Sequence, residues 1–229
     1  VYASPKIHAL KPIRECGHQL TIDGEASTIS ILDVDLLLTL RDRNIRLLKA
    51  GLGDISAFLS ARADWQLAAR ESKDQVNTFA DELILDILDK LAAIDLDSEY
   101  SAWFFDYIEM QVLLCNITDW CGSAPASGAE HLFAKCIEDI AENTVLHGEV
   151  VALGVVLAGF LHKLDLQEIK SLLEKIGLPT SLSKIGTNKG EIVQALMNCR
   201  DYGRKKRRFT VFESIENTKI YFNSVVTDL

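Results

Sequence analysis

The hydrophobic rhythm of the chain changes near residue 45. Before it, Gly17-His18-Gln19-Leu20-Thr21-Ile22-Asp23-Gly24 ends in an Asp-Gly pair, which predicts a short strand closed by a turn. Thr28-Ile29-Ser30-Ile31-Leu32-Asp33-Val34-Asp35 is apolar and β-branched, and predicts a second strand ending on two acids. From about Asp42 the period becomes helical. Apolar positions Ile55, Phe58, Leu59, Leu67 and Ala68 predict a helix over 54–70, and Leu83, Ile84, Ile87, Leu88 and Leu91 predict another over 79–91. A long apolar helix follows over 103–120. The break at Pro125-Ala126-Ser127-Gly128 precedes a helix over about 130–143. Further helices are predicted over 147–164, over 166–176 with a stop at Gly177-Leu178-Pro179, and over 189–199. Phe209-Thr210-Val211-Phe212 predicts a terminal strand.

The reading is therefore a mainly α chain. Residues 1–45 look like the remnant of an α/β region, and residues 46–229 like a domain of about seven helices. Two or three strands make a poor domain alone, so they call for a sheet that this chain does not carry. The opening Val1-Tyr2-Ala3-Ser4-Pro5, without an initiator Met, points the same way, to a piece of a longer protein.

Composition narrows the classes. The 229 residues are 48% hydrophobic, enough to bury a sizeable core. A net charge of −9 repels phosphate backbones and argues against nucleic-acid binding. The most apolar stretch, Val150 to Leu161, is about half the roughly 20 residues a bilayer span needs. It reads as a buried core helix, and no secretory signal is visible. Five scattered cysteines (Cys16, Cys115, Cys121, Cys136 and Cys199) fit reduced thiols in a cytoplasmic protein rather than a disulfide framework. Cys115, Cys121 and Cys136 read as small buried apolar residues.

Three segments carry candidate chemistry. Ala50-Gly51-Leu52-Gly53-Asp54 places an acid behind two glycines, where it also suits a plain helix N-cap. Ser127-Gly128-Ala129-Glu130-His131 puts a histidine in a first helical turn, a place where a lone histidine also serves structure. Leu146-His147-Gly148-Glu149 opens a small-residue apolar helix, and a buried imidazole there needs a partner, a metal or a backbone carbonyl. Together they offer one carboxylate and two imidazoles, each near the N-terminal end of a helix. Such a set with open positions suits a catalytic divalent metal, zinc first, with iron or nickel as alternatives.

In order along the chain, these segments resemble the family of iron-containing alcohol dehydrogenases, glycerol dehydrogenases and dehydroquinate synthases, and within it the sn-glycerol-1-phosphate dehydrogenase group. The resemblance rests on Ala50 to Asp54, Asp64-Trp65, Ser127 to Phe133, Leu146 to Glu149, and Arg208-Phe209-Thr210; Ala3-Ser4-Pro5 resembles the middle of the family pattern. It implies a dehydroquinate synthase-like C-terminal helical domain preceded by the last strands of an α/β nucleotide-binding domain. It implies Asp54, His131 and His147 as metal ligands and catalytic centre, and NAD or NADP as cofactor. The substrate would be a small phosphorylated polyol or ketose, such as dihydroxyacetone phosphate and glycerol 1-phosphate, in a cytoplasmic enzyme of phospholipid biosynthesis. The missing N-terminal cofactor domain would be its partner, and the long helix over 103–120 a possible homodimer face.

Two departures stand out. The Gly-rich phosphate loop of the cofactor domain is absent from this chain. Many relatives carry a second histidine where Lys135 stands, one turn after His131. Lys135 could bind a substrate phosphate, carry a proton, or be a solvated lysine. In the basic run Arg204-Lys205-Lys206-Arg207-Arg208, Lys206 and Arg208 are candidates for the substrate phosphate, against a solvated face. Glu149 is read as a support for His147 or a helix-terminus charge. His162 and His8 read as exposed, and Trp103, Phe104, Phe105 and Tyr107 as core or interface packing. A dehydroquinate synthase-like cyclase and a stand-alone non-catalytic helical domain are the alternatives. The cyclase members usually have Glu at the first ligand and His at the Lys135 position.

Overall fold

The computed structural model describes residues 10–15, 18–23, 33–72, 75–141, 145–181, 184, 186–216 and 218–228. Strands β1 (Leu10–Glu15) and β2 (His18–Asp23) pair antiparallel, with Leu10 opposite Asp23 and Glu15 opposite His18. β2 lies within the first predicted strand, whereas β1, which contains Pro12, lies outside it.

The second predicted strand is corrected where it can be seen. Residues 28–32 lie outside the described residues, but Asp33 caps helix α1 (Val34–Ser56), its side chain accepting from the Leu36 N–H at 2.9 Å. The two acids that seemed to end a strand start a helix instead. That helix is kinked at Asn44, whose φ of −158° and ψ of 72° are not helical.

Eight more helices follow among the described residues: α2 (Phe58–Ser72), α3 (Thr78–Ala93), α4 (Tyr100–Cys121), α5 (Ala129–Ile140), α6 (His147–His162), α7 (Leu166–Lys175), α8 (Lys189–Lys205) and α9 (Lys219–Asp228). α3 buries Ala80, Ile84, Ile87 and Leu91, the single stripe expected of a surface helix. Helix α6 is buried from Gly148 to Gly159, as expected of a helix apolar all round. It forms the axis of the fold, with α1, α2, α5 and α7 packed on it. Asn188 and Glu191 start α8 with reciprocal hydrogen bonds, a capping box.

The C-terminal end differs from expectation. α8 runs on through Arg204 and Lys205, and Val211–Glu213 form a short 3-10 turn rather than a strand. Phe212 points into the core, and α9, outside the predicted set, packs on α8 with Phe222 and Val225 buried. In α4, Trp103, Phe104 and Tyr107 are buried, while Phe105 is exposed. Cys115, Cys136 and Cys199 are buried, Cys121 is half-buried, and all four are free thiols; Cys16 and His8 lie outside the described residues. Among the described residues, no helix is long and apolar enough to cross a membrane.

Candidate metal centre

The site begins with two helices in backbone contact. The end of α1 and the start of α6 approach so closely that a Cβ on Gly53 would fall on the backbone of Gly148, and a Cβ on Gly148 on the carbonyl of Ala50. Only glycine allows this approach, and it sets Asp54 beside His147. Asp54 thus sits in the last turn of α1, not at the N-cap of a helix over 54–70. The N-cap reading is corrected: of the two glycines before Asp54, Gly53 serves the crossing with α6 and Gly51 makes room for the Tyr107 hydroxyl of α4, and α2 begins only at Phe58.

The third residue arrives on α5. His131 is in its first turn, and His147 is the first residue of α6. His131 Nε2 lies 3.6 Å and His147 Nε2 3.5 Å from the same oxygen, Asp54 Oδ1. One ligand atom from each of the three residues lies within 4.8 Å of the other two. The side chains are 13–16% exposed, so the cluster is sheltered but not sealed from solvent.

Both rings are held from behind. His131 Nδ1 faces Glu130 Oε1 at 3.0 Å, and His147 Nδ1 faces Glu138 Oε1 at 2.5 Å. An ionised carboxylate only accepts, so each Nδ1 carries a hydrogen and Nε2 is the ring nitrogen that each histidine turns toward Asp54. This is the carboxylate–histidine arrangement that fixes tautomer and ring orientation in metal sites. The donor set of one anionic oxygen and two imidazole nitrogens, with room for exchangeable ligands, fits a divalent cation such as zinc or iron.

Charges in the cluster respond accordingly. Burial disfavours a charged His131, but Asp54 and Glu130 on either side outweigh it and raise its pKa. Burial likewise opposes ionisation of Glu130, yet the His131 ring and the Gly128 N–H hold its carboxyl below the usual value. Tyr107, buried behind α1, is pushed up by burial and by the Asp54 charge.

The supports were the part that sequence reasoning missed. For Glu130 the signal available in the sequence is its place beside His131. Glu138 lies seven residues beyond His131, two turns down the same helix face, and that spacing was the only hint that it could reach the ligand side. Of the two readings of Glu149, the structure bears out the helix-terminus charge: the residue lies in the first turn of α6 and forms a two-point pair with Arg46 at 2.5 and 2.7 Å. Both line a cavity of about 520 Å³ with Glu174, Leu178 and Lys184. His162 is not exposed: its Nε2 lies 2.8 Å from Asp64 Oδ1, and its side chain is 11% exposed.

The predicted substrate residues fall in three different settings. Lys135 is half-buried on α5, one turn after His131. Lys206 is exposed, with Nζ 5.8 Å from the centre of the Tyr202 ring. Arg208 turns inward and donates to the carbonyls of Ser123 and Ser127 and to the Ser123 hydroxyl. Burial lowers its pKa while Glu130 and Asp64 raise it. In the same basic run, Arg204 pairs with Glu213 at 2.7 Å.

No protein-family model matches the chain. Among curated proteins it is 29% identical over 221 residues to the glycerol-1-phosphate dehydrogenase [NAD(P)+] of Archaeoglobus fulgidus, covering 93% of this chain and 62% of that protein. To the enzyme of the same name from Pyrobaculum arsenaticum it is 32% identical over 201 residues, 82% of this chain and 56% of the relative. To that of Methanospirillum hungatei it is 33% identical over 175 residues, 73% and 47%. The chain spans about half to three-fifths of the length of these relatives. The resemblance read from the motifs thus extends along most of the chain.

Proposed function

We propose that this chain is the metal- and substrate-binding helical part of an NAD(P)-linked dehydrogenase of the glycerol-1-phosphate dehydrogenase type, a member of the superfamily that also holds iron-containing alcohol dehydrogenases and dehydroquinate synthases. The reaction is interconversion of dihydroxyacetone phosphate and glycerol 1-phosphate, or of a similar polyol phosphate, in the cytoplasm. Residues 1–45 belong to the end of an α/β cofactor domain and 46–229 to a dehydroquinate synthase-like helical domain. The observation that carries this reading is the convergence of Asp54, His131 and His147 from three helices onto one point, in a chain similar along most of its length to enzymes of that name.

Asp54, His131 and His147 would hold a divalent metal, with zinc the first choice. When bound there, it supplies Lewis acidity toward the oxygen on which charge develops during hydride transfer. The protein groups do the rest. Asp54 contributes the one negative charge of the set. Glu130 and Glu138 keep both imidazoles in the tautomer that leaves Nε2 unprotonated. NAD or NADP, held by the cofactor domain, would supply the hydride chemistry. Lys135 stands where a substrate phosphate could pair with it. Lys206 and Arg208 are the other candidates, and the bonds of Arg208 to Ser123 and Ser127 fit a support of the loop before α5.

Metal content and NAD(P)H oxidation by dihydroxyacetone phosphate, measured on the intact gene product, test the reading. The expected result is one metal per chain and turnover that stops on chelation. A protein that takes up no metal and oxidises NAD(P)H with no ketose phosphate refutes it; release of phosphate from a seven-carbon sugar-acid phosphate would point to the cyclase chemistry instead.

A further inference from the structure

We propose that Asp64, which is not one of the three cluster residues, is a positioning residue that sets His131 by capping α5 from a neighbouring helix. The inference rests on the metal reading above.

At the start of helix α5, Glu130 folds back so that its Oε1 accepts from the Gly128 N–H at 2.5 Å. The N-cap residue is Gly128, and no side chain at that position bonds to the first turn. The first N–H groups of a helix need partners from elsewhere. Asp64, on α2, supplies one: its Oδ2 accepts from the N–H of Ala129 at 2.6 Å. Ala129 is the first residue of α5 and lies two residues before His131. Gly128 makes room for this contact, since a Cβ there would press on Asp64 Oδ2 and Cβ. The glycine and the aspartate, two motif residues that the metal set itself leaves unexplained, thus meet at one point.

The other oxygen of Asp64 ties down the surroundings. Oδ1 accepts from the N–H of Val211 at 2.7 Å and faces His162 Nε2 at 2.8 Å. One carboxylate therefore joins the start of α5, the last turn of α6 and the segment after α8. It is 2% exposed, and burial of a charge is costly unless every lone pair is engaged. Burial pushes its pKa up, and His162 and the Ala129 N–H oppose that. An apolar side chain in the same space would leave the Ala129 and Val211 N–H groups buried without an acceptor, so the carboxylate has a use that packing alone does not explain. Placing the backbone from which His131 projects is such a use.

Cobalt as a spectroscopic stand-in tests this in the purified protein. Asp64→Asn keeps the shape and one acceptor oxygen but leaves one of the two backbone N–H groups facing an amide NH₂. The expected result is about 10–100-fold weaker zinc and cobalt binding in chelator competition, the range for loss of an outer support of a metal ligand. It should come with displaced visible bands of the cobalt-loaded protein, because the His131 ring no longer meets the ion at its former angle. Gly128→Ala, which displaces the same carboxylate oxygen without removing the buried charge, should displace the same bands, and it decides the matter if Asp64→Asn does not fold. A folded variant with parental affinity and an unchanged cobalt spectrum overturns the proposal. Asp54→Asn separates it from the reading beneath: if that change also leaves metal affinity untouched, the metal centre is wrong; if it abolishes binding while Asp64→Asn does not weaken it, only the positioning role is wrong.

Discussion

His131 and His147 present the same nitrogen to the same oxygen of Asp54, at 3.6 and 3.5 Å, but they are held in unlike ways. His131 sits on a web of hydrogen bonds. Glu130, fully buried, accepts from the Gly128 N–H at 2.5 Å and the Ser60 hydroxyl at 2.9 Å as well as facing the ring. Asp64 and Arg208 fasten the same turn from further away. His147 is placed mainly by steric fit: Gly148 against Ala50 and Gly53 fixes where α6 begins, and Glu138 from α5 holds the ring. One histidine is thus tied to polar groups that the fold itself needs, the other to a close packing of backbones. Damage behind His131 should therefore unsettle both fold and site, whereas damage to the glutamate behind His147 should fall mainly on the site.

The largest effect expected belongs to the point both histidines share. Asp54→Ala removes the charge that balances the ion, and the protein should retain no stoichiometric metal after dialysis while its circular dichroism stays helical. Metal analysis of the dialysed variant checks this. Gly148→Ala comes next and probes the steric side: its Cβ would sit on the Ala50 carbonyl, and backbone cannot step aside as a side-chain tip can. Overpacking of this kind costs about 1–3 kcal/mol, and the upper end or beyond is expected in urea titration. A Gly148→Ala protein as stable as the parent would break the contrast outright.

The pair Glu130→Gln and Glu138→Gln sharpens it. Both should weaken zinc binding by about 10–100-fold, since each disturbs the group behind a ligand. Glu130→Gln should also lose about 1–3 kcal/mol of stability, because a buried donor among Gly128, Ser60 and His131 is left without its acceptor. Glu138→Gln should lose clearly less. Equal losses in the two variants would mean that the two supports do not differ in kind.

That Asp54, His131 and His147 belong together was legible in the sequence, and their placement only partly so. A histidine opening a small-residue apolar helix is visible in Leu146-His147-Gly148-Glu149, and α6 begins there. Asp54 could be named from its motif, yet its local setting was misjudged, because Gly-Leu-Gly-Asp reads as a helix start by cap preference. What decides the matter is α6, whose Gly148 comes close to Gly53 from almost a hundred residues away. Val211 shows the same limit. Phe209 to Phe212 has strand-like residues, but the Val211 N–H is taken by Asp64, so it has no ladder to join. Asp64 with His162, and Glu138 with His147, are bonds between separate helices that no period within one helix can display.

Arg62 and Asp81 offer the smallest effect and the cleanest control for the contrast, since they tie α2 to α3 and hold no ligand. The guanidinium meets both carboxylate oxygens, at 2.6 and 2.8 Å, and its hydrogen bonds hold the Asp81 carboxyl below its usual value against the opposing effect of burial. A depressed folded-state pKa contributes stability above the unfolded value near 3.9, and that contribution fades as pH falls through the lower folded value. The pair is partly exposed, so its worth at neutral pH is at most about 1 kcal/mol. Asp81→Asn should therefore shift the urea midpoint slightly at pH 7, shift it progressively less as the pH is taken below 4, and leave zinc affinity as it was. A fall in zinc affinity here would mean that any loosening of the bundle reaches the metal cluster. The web behind His131 would then have no special claim on the site.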